Sequence, residues 1–343
     1  MKTLIAFSLV ACSFMLAFLI RGSFKISSAE PRAPFEMDRF NLADVTAGAA
    51  ELAYIKVPED LDFAGEAVPW HHRFVRERYA GETRADAYWM VPGLLLEEDR
   101  NHLYYECRKI LRQEGVPTDF VYLFMAESTL RNRVSHKGAA GVCQFMPEAA
   151  RTFGLEVNGE VDERYHKTKS IRAACQYLKK SYELLGSWTM AAAAYNHGYN
   201  GMLRKKKEHP GKSYFEIPLN AETRRYLYRI LCIKEAMRNP TKYGYALKKM
   251  PVTQKTFTVT VNEAIPSLSE FAEQHGTDIV ELKKHNPWLI WNKLTNAEGK
   301  TYVITLPVPE VIESPATAEV VVPAAALDTQ SIGNIQQRLV NAN

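Results

Sequence analysis

The sequence predicts a mainly α protein in which a long all-α part precedes a small βααβ module. Between residues 70 and 245, apolar residues recur at helical spacing and strand patterns are nearly absent. After Pro251 two short stretches alternate in the manner of strands, with two helix-start signals between them. We therefore expect an all-α domain at 70–245 and a separate βααβ module at 253–308.

The first 23 residues predict an export segment. Lys2 precedes an apolar run from Leu4 to Ile20, and Arg21 follows it. The run is long for the core of a signal peptide and only just long enough to span a bilayer. We expect residues 1–23 to be a signal peptide or an N-terminal membrane anchor; the alternative is the buried first helix of a cytosolic protein.

Cysteine usage and net charge exclude several classes of function. The chain has 5 cysteines, none of them in a CxxC or CxxH pair, so zinc and redox motifs have no support. Cys12 stands in a stretch similar to a lipoprotein signal, but the apolar run continues past it. The net charge of +4 gives no concentrated basic patch of the kind that nucleic-acid binding requires.

Helix signals follow one another along the all-α part, after a tether predicted at 24–69. Residues 101–114 carry apolar positions on one helical face, and Gly115-Val116-Pro117 separates this helix from the next. The second helix is predicted at 118–130. Further helices are predicted at 146–153, 168–185, 188–196 and 220–238.

The βααβ module begins with a strand at 256–261 and ends with a strand at 302–306. Ser267 with Glu270 forms a capping box that opens the first helix, and Asp278 opens the second. Residues 309–343 are rich in Pro, Ala and Val without a periodic face, which predicts a flexible tail.

Glu127 is the main candidate for chemistry because it ends an apolar stripe on the helix at 118–130. Phe120, Leu123 and Phe124 share its helical face. Burial raises the pKa of a carboxyl group, which a general acid working near neutral pH requires. The alternative is a structural Glu127 that reaches solvent or pairs with a nearby arginine such as Arg131.

Two neighbouring motifs favour the functional interpretation. The loop at 135–147 contains two glycines, which permit close approach of a ligand to the backbone. In that loop Gln144 offers a donor and an acceptor for sugar groups, and Phe145 and Met146 offer apolar area. Later, an alanine run allows close helix packing and ends at Tyr195-Asn196.

These ordered motifs resemble those of the lytic transglycosylases with a lysozyme-like catalytic domain, and most of all their membrane-bound D-type branch. The βααβ module resembles a LysM peptidoglycan-binding repeat, although its loop at 286–300, with Trp288 and Trp291, departs from the usual one. In the transglycosylase resemblance, Cys143 stands where the family commonly has Met or Trp. The matching motifs are Gly115-Val116-Pro117, Glu127-Ser128, Gly138 through Pro147, Val161-Asp162-Glu163-Arg164, Ala194-Tyr195-Asn196 and Glu222-Thr223-Arg224-Arg225-Tyr226.

The resemblance implies an enzyme of the cell envelope, periplasmic and membrane-associated through its N-terminus, that acts on peptidoglycan glycan strands. Glu127 is then the single acid/base that cleaves the MurNAc-β-1,4-GlcNAc bond and leaves 1,6-anhydro ends. No metal cluster or phosphate-binding loop appears in the sequence, so we expect no metal and no cofactor. The substrate-binding residues that it implies are Ser135, Gln144, Met146, Tyr195, Asn196 and Glu222.

Two alternatives remain open at the level of sequence. A goose-type lysozyme would hydrolyse the same bond and needs a second carboxylate, for which Glu148, Asp162 and Glu163 are nearest in sequence. A catalytically inactive scaffold would use the fold and the LysM-like module only to bind the wall. The product mass separates the first alternative from a transglycosylase, and a zymogram separates the second.

Overall fold

The computed structural model describes residues 58, 60–83, 98–243 and 254–308, which cluster into one compact unit. The predicted export segment and C-terminal tail lie outside the described residues. The predicted mainly α fold is confirmed. The elements are β1 (Asp62–Phe63), β2 (Glu66–Ala67), α1 (Arg73–Glu82), α2 (Glu98–Gln113), α3 (Phe120–Ser128), α4 (Pro147–Thr152), α5 (Lys167–Leu185), α6 (Trp188–His197), α7 (Tyr199–Glu208), α8 (Ala221–Arg238), β3 (Thr256–Val261), α9 (Leu268–Gln274), α10 (Ile279–His285) and β4 (Tyr302–Pro307), with short 3₁₀ turns at Glu163–Tyr165 and Pro240–Tyr243.

Helix α3 lies at the centre of the helical part, because its residues are apolar on every face. Phe120 through Met125 are all buried, so this helix is surrounded by other elements instead of facing solvent. Helices α2 and α8 pack directly against it, and α8 also contacts α1 and α6. The only carboxylate of the α3 sequence, Glu127, is therefore carried at the end of a helix whose position is fixed by packing.

Helix α6 packs against α5 and α8 through its alanines. Ala191 through Ala194 are fully buried, which is the close packing that their sequence predicts. Gly186 ends α5 in the left-handed conformation typical of a glycine C-terminal cap, and Ser187 then caps the N-terminus of α6. Tyr195 and Asn196 thus lie at the last turn of a tightly held helix.

The predicted tether is wrong at its C-terminal end, because residues 61–69 are folded onto the helical core. Strands β1 and β2 form a short antiparallel hairpin. Phe63 is fully buried, with its ring 5.2 Å from that of Phe120. The Glu66 carboxylate accepts the backbone N–H groups of Trp188 and Thr189 at the start of α6. Sequence patterns missed this hairpin because each strand has only two residues.

The C-terminal module has the predicted βααβ order. Strand β3 pairs antiparallel with β4 from Thr256 opposite Pro307 to Val261 opposite Tyr302. Ser267 and Asp278 cap α9 and α10 with their side chains, as the sequence predicts. The apolar core of the module contains Val161, which comes from the helical part of the chain.

Within the described ranges, every helix is too short or too polar to cross a membrane.

Candidate active site

Glu127 occupies the last turn of α3, where the backbone leaves the helix abruptly. Thr129 and Leu130 both have positive φ, at 55° and 56°. Such a conformation is strained in a residue other than glycine, and strain of this kind concentrates at functional sites. The Ser128 hydroxyl donates to the carbonyl oxygen of Val142 at 2.7 Å and so joins the end of α3 to the loop at 135–147, which we call the groove loop.

The carboxyl group of Glu127 is largely withdrawn from water, and this burial raises its pKa above the usual value. The Tyr226 hydroxyl donates a hydrogen bond to Oε1 of Glu127, which lowers the pKa, and the charge of Arg229 acts in the same direction. The negative charge of Glu222 raises it. Burial is the largest influence, so Glu127 keeps its proton to a higher pH than an exposed glutamate.

The groove loop holds itself together through its own polar groups. Ala140 and Phe145 exchange two backbone hydrogen bonds, at 3.0 and 3.1 Å. Gln144 adopts a positive φ of 53°, and its side-chain amide nitrogen donates to the carbonyl oxygens of Gly141 at 2.8 Å and Arg133 at 3.1 Å. The side-chain amide protons of Gln144 are therefore used in hydrogen bonds to the backbone. The side-chain oxygen of Gln144 remains as the group suited to bind a ligand.

Arg164 supports the groove loop through hydrogen bonds to two of its backbone carbonyl groups. Its guanidinium is buried, and it donates to the carbonyl oxygens of Gly138 at 2.9 Å and Phe145 at 3.2 Å. A Cβ atom on Gly141 would lie 1.8 Å from the carbonyl oxygen of Arg164, so only glycine fits there. The Val-Asp-Glu-Arg motif is thus structural, and it acts directly on the loop beside Glu127.

A cavity of about 390 Å³ lies between the groove loop and the end of α6. The Tyr195 hydroxyl donates to the carbonyl oxygen of Cys143 at 2.8 Å, which fixes the two elements against each other. The charge of Glu127 contributes to raising the pKa of the Tyr195 phenol, although burial contributes more, so the two groups are near neighbours. The predicted site residues that line the cavity are Gln144, Met146, Tyr195 and Asn196.

Glu222 joins this group from α8. Its carboxylate accepts a hydrogen bond from the Asn196 side-chain amide at 3.2 Å, and its charge acts on Glu127. Ser135 is placed differently: it does not line the cavity, and its hydroxyl accepts the backbone N–H of Ala139 at 3.0 Å. Glu222 therefore contacts Asn196 and acts on Glu127 without lining the cavity, and Ser135 lies at the far end of the groove loop.

The other carboxylates considered from sequence are occupied or lie at the surface. Asp162 is buried and pairs with Arg164 at 2.6 Å, and Glu163 is buried in an ion pair with Lys169. Glu148 is exposed on α4. Of the carboxylates in the described residues, Glu222 is the one whose charge acts on the pKa of Glu127.

Tyr226 is the residue of the site that sequence reasoning did not single out. It is buried, and it is the hydrogen-bond donor to Glu127. The signal was present, since Tyr226 ends the motif that begins at Glu222 and lies four residues later on the same helical face. Among the described residues no group of His, Cys, Asp and Glu side chains is arranged to hold a metal ion.

Comparison with known proteins identifies two domains. Residues 107–217 match the family described as a transglycosylase SLT domain, and residues 257–310 match the soluble lytic transglycosylase C-terminal LysM-like domain. The membrane-bound lytic murein transglycosylases D of Escherichia coli K12 and of E. coli O6:H1 are each 26% identical over 200 residues, which cover 57% of this chain and 44% of the relative.

A third relative carries a description that does not mention peptidoglycan. The putative tributyltin chloride resistance protein of Alteromonas sp. M-1 is 31% identical over 107 residues, which cover 30% of this chain and 50% of that protein. The chain therefore spans about half the length of the curated relatives that it matches or less. The matches confirm the resemblance that the sequence motifs carry: the chain has an SLT domain and a LysM-like domain and is homologous to the E. coli enzymes.

Proposed function

We propose that this chain, which carries an SLT and a LysM-like domain, is a peptidoglycan lytic transglycosylase with Glu127 as its single acid/base. One observation carries the proposal. Glu127 has a pKa raised by burial, and its charge acts on Tyr195, which lines the cavity beside the groove loop. A carboxyl group that keeps its proton to a higher pH than usual is suited to protonate a glycosidic oxygen.

The reaction begins when protonated Glu127 donates its proton to the oxygen that links MurNAc to GlcNAc. The bond between C1 of MurNAc and that oxygen breaks, and the acetamido group of MurNAc stabilises the positive centre at C1. Glu127, now a carboxylate, takes the proton of the C6 hydroxyl of the same sugar. The C6 oxygen then bonds to C1, which gives a 1,6-anhydro end and restores protonated Glu127.

The surrounding residues hold the sugar and the acid. Tyr226 occupies Oε1 of Glu127, so we assign the transferred proton to Oε2. In the cavity, Gln144 offers its free side-chain oxygen to a sugar hydroxyl, and Met146, which is exposed, offers apolar area to a ring face. Tyr195 and Asn196 form the opposite wall, and Glu222 holds the Asn196 side chain from behind it. Ser135 is assigned to substrate further along the groove loop.

We expect Glu127→Gln to abolish release of muropeptides from purified sacculi while the fold stays intact. The amide cannot donate and recover a proton, and proton transfer of this kind contributes about 10²–10⁴-fold to a rate. Glu148→Gln is the matched control, because Glu148 is exposed on α4. Release by the Glu127→Gln variant at the wild-type rate would remove Glu127 from the mechanism. If the wild type itself releases no muropeptides, the inactive scaffold is favoured instead.

The products distinguish a transglycosylase from a hydrolase. A goose-type hydrolase is the second candidate, because the charge of Glu222 acts on Glu127 and a second carboxylate could hold a water molecule. Mass spectrometry of digested sacculi separates anhydro ends from reducing ends by the mass of one water. We expect anhydro ends; products that carry reducing ends alone would favour the hydrolase and assign Glu222 as its base.

The place of action proposed here is the cell envelope, on the periplasmic side. It follows from the export segment at 1–23 and from peptidoglycan as the substrate. We further propose that this segment associates the protein with a membrane.

A further inference from the structure

The LysM-like module is joined to the helical part through residues 156–166, which we call the bridge segment. Val161 forms an antiparallel bridge with Leu289. The backbone N–H of Asp162 donates to the carbonyl oxygen of Trp288 at 2.8 Å, and that of Ile290 donates to the carbonyl oxygen of Glu160 at 2.9 Å. The bridge segment therefore adds a short strand to the loop of the module.

Apolar and polar side chains reinforce this contact. Val161 is 1% exposed and belongs to the apolar core of the module. The Glu160 carboxylate accepts both the backbone N–H of Thr295, at 2.7 Å, and its hydroxyl, at 2.6 Å. The Tyr302 hydroxyl donates to Glu156 at 3.0 Å. Buried apolar area together with satisfied hydrogen bonds fixes an orientation, so the module is not a freely swinging appendage.

Trp288 takes part in the contact instead of facing outward. Its ring is 3% exposed and stacks between His166, with centroids 5.8 Å apart, and Tyr302, with centroids 5.7 Å apart. A sugar needs an exposed aromatic face to stack on, and Trp288 offers none. The departure of this loop from the usual LysM pattern is thus explained by its contact with the bridge segment.

The opposite side of the bridge segment holds the groove loop. The backbone N–H of Asp162 donates to the module, and its carboxylate accepts hydrogen bonds from the Arg164 guanidinium, at 2.9 Å to Oδ1 and 2.6 Å to Oδ2. Arg164 in turn donates to the carbonyl oxygens of Gly138 and Phe145. A continuous path of hydrogen bonds therefore runs from Trp288 through Asp162 and Arg164 to the groove loop.

We propose that the module is a positioning element for the groove loop, in addition to any contact it makes with the wall. By fixing the backbone at 160–162 it fixes Asp162, and through Asp162 it fixes the positioning residue Arg164. The groove loop contains strained Gln144, and Arg164 adds two hydrogen bonds to those within the loop, so loss of this support is expected to favour local opening. The catalytic consequence rests on the proposed function; the effect on the loop does not.

Two matched valine substitutions in the full-length chain test this inference. Val161→Asp places a charge in the shared core and separates the module from the bridge segment. Val303→Asp places the same charge on the outer face of β4, where Val303 is 49% exposed, and leaves the contact intact. Hydrogen exchange is measured at the Ala140 and Phe145 amides of the groove loop, with the amides of α8 as a measure of the global fold.

We expect Val161→Asp to speed exchange at Ala140 and Phe145 by about tenfold or more, because local opening sets that rate. On soluble, uncrosslinked glycan strands we expect kcat to fall about tenfold with KM nearly unchanged, because a misplaced groove loop would orient the bound sugar poorly for reaction. Val303→Asp is expected to match wild type in both measurements. A module that only binds the wall predicts unchanged kcat on soluble strands and slower digestion of sacculi alone.

Glu160→Ala is the second variant, and it decides the question if Val161→Asp does not fold. It removes the acceptor of Thr295 at the edge of the contact, so a smaller increase in groove-loop exchange is expected. The inference is overturned if exchange in the groove loop equals that of Val303→Asp in every variant that folds. If wild type cleaves no glycan at all, the proposed function fails while the exchange measurement still decides the positioning role.

Discussion

At the scale of single residues, the behaviour of Glu127 follows from a balance between burial and one hydrogen bond. Burial raises its pKa, and the Tyr226 hydroxyl, which donates to the charged form, lowers it. The balance leaves the carboxyl group protonated to a higher pH than usual, as a general acid requires. Tyr226 thereby lowers the upper pH limit of the proposed reaction.

We expect Tyr226→Phe to move the alkaline limb of the pH–activity profile to higher pH. Removing the donor takes away an interaction that favours the carboxylate, so the pKa of Glu127 rises and the acid form persists further. The measurement is kcat/KM on glycan strands across pH. Tyr228→Phe, on the same helix and outside the contact with Glu127, is the control. A limb that moves to lower pH, or not at all, contradicts this role of Tyr226.

At the scale of elements, the groove loop owes its shape to a close backbone approach. Gly141 has φ 81° and abuts the carbonyl oxygen of Arg164, while Gly138 has φ 85° with open space around it. Both positions need a left-handed conformation, and only Gly141 also lacks room for a Cβ atom. Substitution at Gly138 therefore tests conformational strain alone, whereas substitution at Gly141 tests strain together with steric conflict.

We expect Gly141→Ala to lower the free energy of unfolding by about 3 kcal/mol or more and to reduce turnover, because the Cβ atom must displace the Arg164 backbone. Gly138→Ala is the control within the same loop. It is expected to cost only about 1–2 kcal/mol, the strain of a left-handed residue. Urea unfolding with turnover on glycan strands measures both variants, and equal losses for the two would refute the steric argument.

At the scale of the whole molecule, segments distant in sequence meet around Lys234. The Lys234 ammonium, buried on α8, donates to Asp119 at the start of α3 at 2.6 Å and to the backbone oxygen of Asp62 in the hairpin at 2.7 Å. Asp119 also accepts the backbone N–H of Ala64 at 2.8 Å. This cluster holds the hairpin, α3 and α8 together at the end of α3 opposite Glu127.

We expect Lys234→Met to lower the free energy of unfolding by about 2–3 kcal/mol, since each charged hydrogen bond contributes about 1.5–3 kcal/mol and its partners are partly exposed. Lys109→Met, at an exposed position on α2, is the control and is expected to be nearly neutral. Chemical denaturation measures both. A loss in Lys234→Met no larger than in the control would show that packing alone joins the three segments.

The sequence by itself determined six helices of the all-α part, though not α1 or α7. It also determined the βααβ order of the module, the caps at Ser267 and Asp278, and the family resemblance. Each of these depends on spacing or on a cap within a few residues, which the chain order records directly.

Only the tertiary structure decided which distant groups meet. The Tyr226 contact with Glu127 joins residues 99 positions apart, and the path from Trp288 to the groove loop crosses two domains. The hairpin at 62–67, with two residues in each strand, leaves too short a pattern to recognise before its partners are known. Packing between remote segments sets the pKa of Glu127 and the support of the groove loop, because burial is a property of the folded neighbourhood and not of local sequence.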